Sequence, residues 1–253
     1  MYNYSINSRI LSLVSDISFL TGRISGNSEL SASPILRREN RIKTVQGSLA
    51  IEQNTLSVPQ VTSVLNGKQV IAPPKDILEV KNAFDAYDRL NEYDPYDCES
   101  LLSAHYEMMK GLIDAPGCFR IQSAGVADSI GRIIHLGTLP RYVPDAVEKL
   151  LGFIEHTDEH PLISSCVFHF EFESIHPFLD GNGRTGRLWH TLLLSRWNPI
   201  FEWLPVESVV HDRQEEYYSA INRSDAANNS TVFIEFMLCA IRDALIEAGE
   251  TIN

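Results

Sequence analysis

Apolar residues recur at three- and four-residue intervals along almost the whole chain, and this helical period constrains the fold more than any other feature. Ile10, Leu13, Val14, Ile17 and Leu20 form one stripe, which stops near Gly22. Ser33 followed by Pro34 reads as an N-cap with proline in the first turn, opening a helix that runs to about Gly47. A short helical piece, SLAIEQN, comes next. Ser57 and Gln60 have capping-box spacing, and the helix they open stops at Asn66-Gly67. Ile77, Val80, Phe84 and Tyr87 mark a helix that fades near Asp94-Pro95, and Leu101, His105, Met108, Met109 and Leu112 mark another. From Pro116 to Tyr142 the period lapses, and CFRIQSAGV and RIIHLGTL read as short extended pieces. Helices resume at 144–156, 161–175, 184–197, about 207–222 and 231–248. The expected fold is all-α with one small β-hairpin, divided softly into a helical region 1–95 and a second region 96–253.

Composition bounds the partners. A chain of 253 residues with 44% hydrophobic content can bury a substantial core. Its net charge is −12 and its pI about 5.1, which argues against nucleic acid or an anionic membrane surface as a bulk partner. A local phosphate site needs only a few well-placed donors and stays open. No apolar run approaches the roughly 20 residues of a membrane span. The start, MYNYSINSRILSLVSDISFL, lacks the basic, apolar and small-residue order of a signal peptide, so a cytoplasmic protein is expected. Cys98, Cys118, Cys166 and Cys239 are widely separated, without metal-ligand spacing, and read as small buried hydrophobes.

One stretch carries chemistry: His176-Pro-Phe-Leu-Asp-Gly-Asn-Gly-Arg-Thr-Gly-Arg187. An apolar helix ends at His176, a tight turn follows, and a second helix begins near Arg184. Gly181-Asn182-Gly183 allows backbone conformations that turn several N–H groups toward one point, an anion nest just before a helix N-terminus. Arg184 and Arg187 are three apart and share a helix face near that nest, where guanidinium forks suit phosphate oxygens. Asp180 at the rim can hold Mg2+ against phosphate oxygens, and His176 is a base that works near neutral pH. The base must be neutral, so activity is expected to fall in acid. Each feature alone is commonly structural: a turn, a helix end, a solvated face. Their coincidence within twelve residues argues for a site.

The stretch resembles the signature of Fic proteins, His-Pro-Phe-x-Asp/Glu-Gly-Asn-Gly-Arg-x-x-Arg, with every specified position filled. The runs LRRENRIKTVQGSLAIEQNTLS, PPKDILEVKNAF, RYVPDAVEKLL and FIEFMLCAI also look like Fic-family sequence, so the resemblance covers nearly the whole chain. It implies a helical Fic core over 96–253 with a β-hairpin flap, and an N-terminal region 1–95 carrying an inhibitory helix at about 44–54. It implies transfer of AMP from ATP, with Mg2+, to a Ser, Thr or Tyr hydroxyl of a target protein, releasing pyrophosphate. His176 would be the general base and Asp180 the metal ligand. Gly181, Asn182 and Gly183, continuing into Thr185 and Gly186, would cradle the phosphates, and Arg184 and Arg187 would contact the β- and γ-phosphates. Phe178 is assigned only to anchoring the loop.

Ser48 and Glu52 are four apart on one helix face and match the inhibitory pattern Ser/Thr-x-x-x-Glu-Gly/Asn of the family, except that Gln53 stands where Gly or Asn is expected. The resemblance implies that Glu52 pairs with Arg187 within the chain and removes the γ-phosphate contact. In some members this glutamate also positions water for AMP removal. Ile133, Ile134, His135 and Leu136 sit where the flap is expected and would hold a target by strand addition; a purely structural hairpin is the alternative. Tyr217 and Tyr218 lie where relatives contact adenosine and are equally core aromatics, with Tyr218 the candidate taken forward. Transfer of UMP, phosphate or phosphocholine, and a regulator that only binds nucleotide, are the competing readings. The intact signature favours a triphosphate and an enzyme. Self-modification and a homo-oligomer are both open.

Overall fold

The structure is a computed structural model that describes residues 2–25, 33–127 and 133–250, with the backbone alone in 125–127 and 133–136. In chain order the helices are α1 (Ser8–Ser25), α2 (Pro34–Ile51), α3 (Val58–Leu65), α4 (Pro74–Asp88), α5 (Cys98–Met109), α6 (Val143–His156), α7 (Pro161–Ile175), α8 (Asn182–Trp197), α9 (Val206–Asp212), α10 (Gln214–Ala227) and α11 (Thr231–Glu250). Between α5 and α6 lie two short strands, β1 (Gly125–Ala127) and β2 (Ile133–Leu136). They pair antiparallel, Gly125 opposite Leu136 and Val126 opposite His135, with an irregularity before Ala127 pairs with Ile133. The fold is all-α around this one small pairing.

Local chemistry explains most boundaries. Ser33 is extended and its side chain accepts the Leu36 N–H, so α2 opens on a Ser-Pro cap. At α3 the Ser57 N–H donates to Gln60 Oε1 at 3.0 Å. Three boundaries differ from expectation. α2 does not stop near Gly47; it continues through the SLAI piece to Ile51. Gly47 marks close packing, because a Cβ there would lie 2.7 Å from the Ser208 N of α9. The helix expected over about 207–222 is two helices, broken at Arg213 without glycine or proline. At the break Arg213 pairs locally with Glu216 at 2.7 Å and, on α11, with Asp243 at 3.1 Å. α8 opens at Asn182, two residues earlier than expected, with Gly181 as its cap.

Two hydrophobic clusters form the core. One joins α1 to α11 and α7 through Ile10, Leu13, Ile17, Phe170, Phe233 and Ile241. The other gathers Val45, Leu49, Val80, Leu150, Phe168 and Trp189. Each draws on residues from both sides of residue 95. α7 and α8 serve both clusters: Phe170 and Leu194 face the first, Phe168 and Leu188 the second. That is why α7 is apolar on nearly every face. The turn between these two buried helices is therefore anchored at both ends, with Leu179 and Asp180 exposed at its tip. All four cysteines are free, but Cys118 is exposed and Cys98 only partly buried, so the buried reading holds for Cys166 and Cys239 alone. Among the described residues no helix is long and apolar enough to cross a membrane.

Candidate active site

α7 ends when His176 takes a left-handed conformation, φ 52°, with its N–H still bonded to Phe172 O at 3.0 Å. Beyond it the chain is closed by a reciprocal pair. The Phe178 N–H donates to Asn182 Oδ1 at 2.8 Å, and Asn182 Nδ2 donates to Phe178 O at 2.9 Å. The Phe178 ring is fully buried and stacks on His105 with centroids 3.6 Å apart. Gly181, φ 86°, then turns the chain into α8, a conformation costly for any residue with a Cβ. The Asn182 side chain thus faces inward, and what it offers a ligand is backbone at the start of α8.

The two arginines of the motif have different surroundings. Arg184 is 4% exposed, held between Glu79 Oε1 of α4 at 3.1 Å and Asp180 Oδ1 at 2.9 Å. Arg187 is buried against α2. Its Nε donates to Ser48 Oγ at 3.1 Å, and its Nη2 donates to Ser48 O at 3.0 Å and to Glu52 Oε1 at 2.8 Å. Burial opposes the Arg187 charge, but Glu52 together with Tyr217 and Glu173 outweighs it and raises its pKa. The Glu52 carboxylate also sits on the first turn of α8: a Cβ on Gly183 would collide with Glu52 Oε1 and lie 2.9 Å from Arg187 Nη1. A carboxylate therefore already rests on the positive end of this helix.

Other candidates are dispersed. Thr185 is fully buried, its N–H bonded to Gly181 O at 3.0 Å, and Gly186 packs toward Phe172 and Glu173. Tyr217 is buried and its hydroxyl meets His169 Nε2 at 3.0 Å, which makes it a core aromatic. Tyr218 is 41% exposed and its hydroxyl donates to Ile51 O, at the end of α2, at 3.3 Å. Ile133, Ile134, His135 and Leu136 contribute backbone to β2; their side chains lie outside the described residues.

Three further residues belong to the site although nothing in their spacing marks them. His105 is fully buried. Its Nδ1 accepts the Gly117 N–H at 2.9 Å, so its Nε2 carries the proton donated to Asp180 O at 3.0 Å. Burial lowers its pKa to about 4, which keeps it neutral. Arg120 binds the backbone around His176, with Nε 2.6 Å from His176 O. Glu173, on α7, packs against Gly186 and feels the Arg187 charge, and burial raises its carboxyl to about 7.

Asp180 suits a divalent cation of limited demands. Its side chain is 49% exposed, and Oδ1 is occupied by Arg184 and the Gly181 N–H, while Oδ2 has no hydrogen bond among the described residues. Among the described residues no cluster of three acidic, histidine or cysteine ligands exists. That donor set fits Mg2+, which is commonly held by one or two carboxylates plus substrate phosphates, and not a cation needing an all-protein cage.

Known proteins resemble this chain in sequence and in fold. The family model described as Fic/DOC matches residues 95–194. The chain is 29% identical over 201 residues to protein adenylyltransferase fic-1 of Caenorhabditis elegans, covering 74% of this chain and 37% of that protein. It is 28% identical over 171 residues to protein adenylyltransferase Fic of Culex quinquefasciatus, covering 63% and 33%. The chain thus spans about a third of the length of these relatives. A solved Fic family protein from Desulfovibrio desulfuricans superposes with a TM-score of 0.95 at 46% identity, over 99% of this chain and 77% of that one. Similar over almost its entire length to that solved protein, and carrying the family's motif at the turn between its two central helices, this chain belongs to the Fic family.

Proposed function

We propose that this chain is a protein adenylyltransferase that moves AMP from ATP to a hydroxyl of a target protein and is restrained by its own Glu52. The observation that carries the reading is the Glu52 carboxylate, seated on the first turn of α8 and bonded to Arg187 at 2.8 Å. An anion already occupies the spot where a triphosphate's terminal phosphate would compete for the same guanidinium. His176, at the preceding helix end, supplies the base.

In the proposed reaction the target hydroxyl oxygen attacks the α-phosphorus. The bond from that phosphorus to the α–β bridging oxygen breaks, and pyrophosphate departs with that oxygen. His176 takes the hydroxyl proton. Backbone N–H groups at the start of α8 and Arg187 hold charge on the phosphates, the main contribution expected in such transfers. Arg184, buried between Glu79 and Asp180, aims the Asp180 carboxylate more than it reaches substrate. Mg2+ held by Asp180 would neutralise phosphate charge when bound. Tyr218, at the end of α2, is the residue proposed to meet the adenosine, and the β2 backbone to meet the target. Four free cysteines suit a reducing cytoplasm.

The test is incubation with ATP labelled at the α-phosphate and, separately, at the γ-phosphate, followed by intact-mass measurement. The reading expects α-label and an AMP mass on protein. Transfer of γ-label with a phosphate mass would replace it by a kinase-like reaction. Loss of an AMP mass from a modified protein would favour the removing activity.

A further inference from the structure

Arg120 lies on the segment leading from α5 to β1 and is 5% exposed. Among the described residues no carboxylate pairs with it. Burial lowers its pKa, yet the charge is met by four backbone carbonyls. Nε donates to His176 O at 2.6 Å, Nη1 to Gln122 O at 2.8 Å, and Nη2 to Ile175 O at 3.3 Å and, closer still, to Thr138 O.

These acceptors have distinct origins. Ile175 O and His176 O belong to the C-terminus of α7, where carbonyls lack helical partners and the helix dipole is negative. A cation is stabilised there. Gln122 precedes β1 and Thr138 follows β2, so the same guanidinium grips both feet of the strand pair. Backbone bonds repeat the join: Arg120 N–H to Pro177 O at 3.0 Å, and Thr138 N–H to Ile175 O at 3.1 Å. His176 itself is in the left-handed region, which disfavours a side chain with a Cβ, so the surroundings must hold it there.

We infer that Arg120 is a positioning residue: by capping α7 it fixes the backbone of His176 and fastens both feet of the β1–β2 pair to it, so that base and target-holding strand keep one geometry. This rests on the proposed roles of His176 and β2. It assigns Arg120 no contact with substrate.

The test uses the full chain with Glu52→Gly as parent, adding Arg120→Ala or Arg120→Lys. Four quantities are read: the rate of AMP transfer, Mg2+-ATP affinity by calorimetry, His176 ring signals by proton–nitrogen NMR, and the melting temperature. With the base displaced but the nucleotide cradle intact, transfer should fall by about ten- to a hundredfold. ATP affinity should stay close to the parent's, and the His176 signals should shift or split. Arg120→Lys, which keeps the charge but cannot span four carbonyls, should fall between parent and alanine variant. Unchanged transfer and unchanged His176 signals in a folded variant overturn the inference. So does ATP affinity that falls in step with the rate. If neither variant folds, Arg120 is a stability residue and the inference fails. A parent that moves no AMP at all sinks the adenylyl-transfer reading instead, while the His176 signals still decide the role of Arg120.

Discussion

Replacing Glu52 by glycine should raise AMP transfer by about ten- to a hundredfold. The Arg187 guanidinium is 3% exposed, and only one of its three acceptors, Glu52 Oε1 at 2.8 Å, carries charge. A hydrogen bond to a charged group is worth about 1.5–3 kcal/mol. The Glu52 side chain is 33% exposed, so solvent screening favours the lower half of that range. Its seat on the α8 N-terminus adds roughly 0.3–1 kcal/mol. The sum spans about 2–3 kcal/mol, which falls in the upper part of the predicted ten- to hundredfold. The assay is self-modification with α-labelled ATP, in wild type, Glu52→Gly, Glu52→Gln and Arg187→Ala. Glu52→Gln separates loss of charge from loss of the side chain and should also gain. Arg187→Ala removes the guanidinium from carboxylate and nucleotide alike, so it should not gain. Equal rates in wild type and both Glu52 variants would refute the competition. A faster Arg187→Ala would refute the shared arginine.

Three further outcomes are expected. His176→Ala should abolish transfer in the Glu52→Gly background yet keep Mg2+-ATP binding by calorimetry, since the base acts on the hydroxyl; retained transfer would remove it from the chemistry. Gln53 sits at φ 68°, so Gln53→Gly should stabilise the fold by about 1 kcal/mol in urea unfolding, and a loss of stability would show the strain is absent. Burial raises the Glu173 carboxyl from 4.5 to about 7, opposed by Arg187 and reinforced by Glu52. The folded chain holds this proton more tightly than the unfolded one, so its contribution is full below about pH 4.5 and is lost as pH rises through about 7. Glu173→Gln should therefore gain about 1–3 kcal/mol over wild type between pH 5 and 8, and parallel urea midpoints at both pH values would contradict it.

The helices whose ends carry side-chain signals are legible in the sequence: Ser33-Pro34 opens α2 and Asn66-Gly67 follows α3, where Gly67 has φ 70°. The residues of the His176–Arg187 turn are legible too, because turn-formers, a base and two arginines crowd into twelve positions. Tertiary causes are not. Gly47 reads as a stop, but the backbone of α9 presses on it, and a spacing rule sees only the missing side chain. The break at Arg213 has no glycine or proline to announce it, and the Asp243 that meets Arg213 there is thirty positions away. Arg120 and His105 act through single backbone atoms, Arg120 from a segment without period and His105 from within an apolar helix stripe. The burial of Arg184 depends on Glu79, over a hundred positions away, which no spacing connects to it.

The seat of α2 bears on how quickly a restraint of this kind can answer. Ile42, Val45, Leu49 and Ile51 are all buried, and at about 1.5–3 kcal/mol each their exposure would rival the stability of a whole domain. The chain is pinned on either side of Glu52 as well. Gln214 and Tyr218 both donate to Ile51 O, and Asn54 donates to Glu79 at 2.9 Å. Withdrawal of the helix would amount to unfolding. The Glu52 side chain, beyond the last turn and partly in water, need only break its bond to Arg187 and rotate; exposed side chains rotate in picoseconds to nanoseconds, and a contact of about 1.5–3 kcal/mol slows that by only about ten- to a hundredfold. On the proposed reading, then, onset of transfer follows the nucleotide concentration at once, without a lag, and mixing experiments should record a rate that is steady from the first turnover.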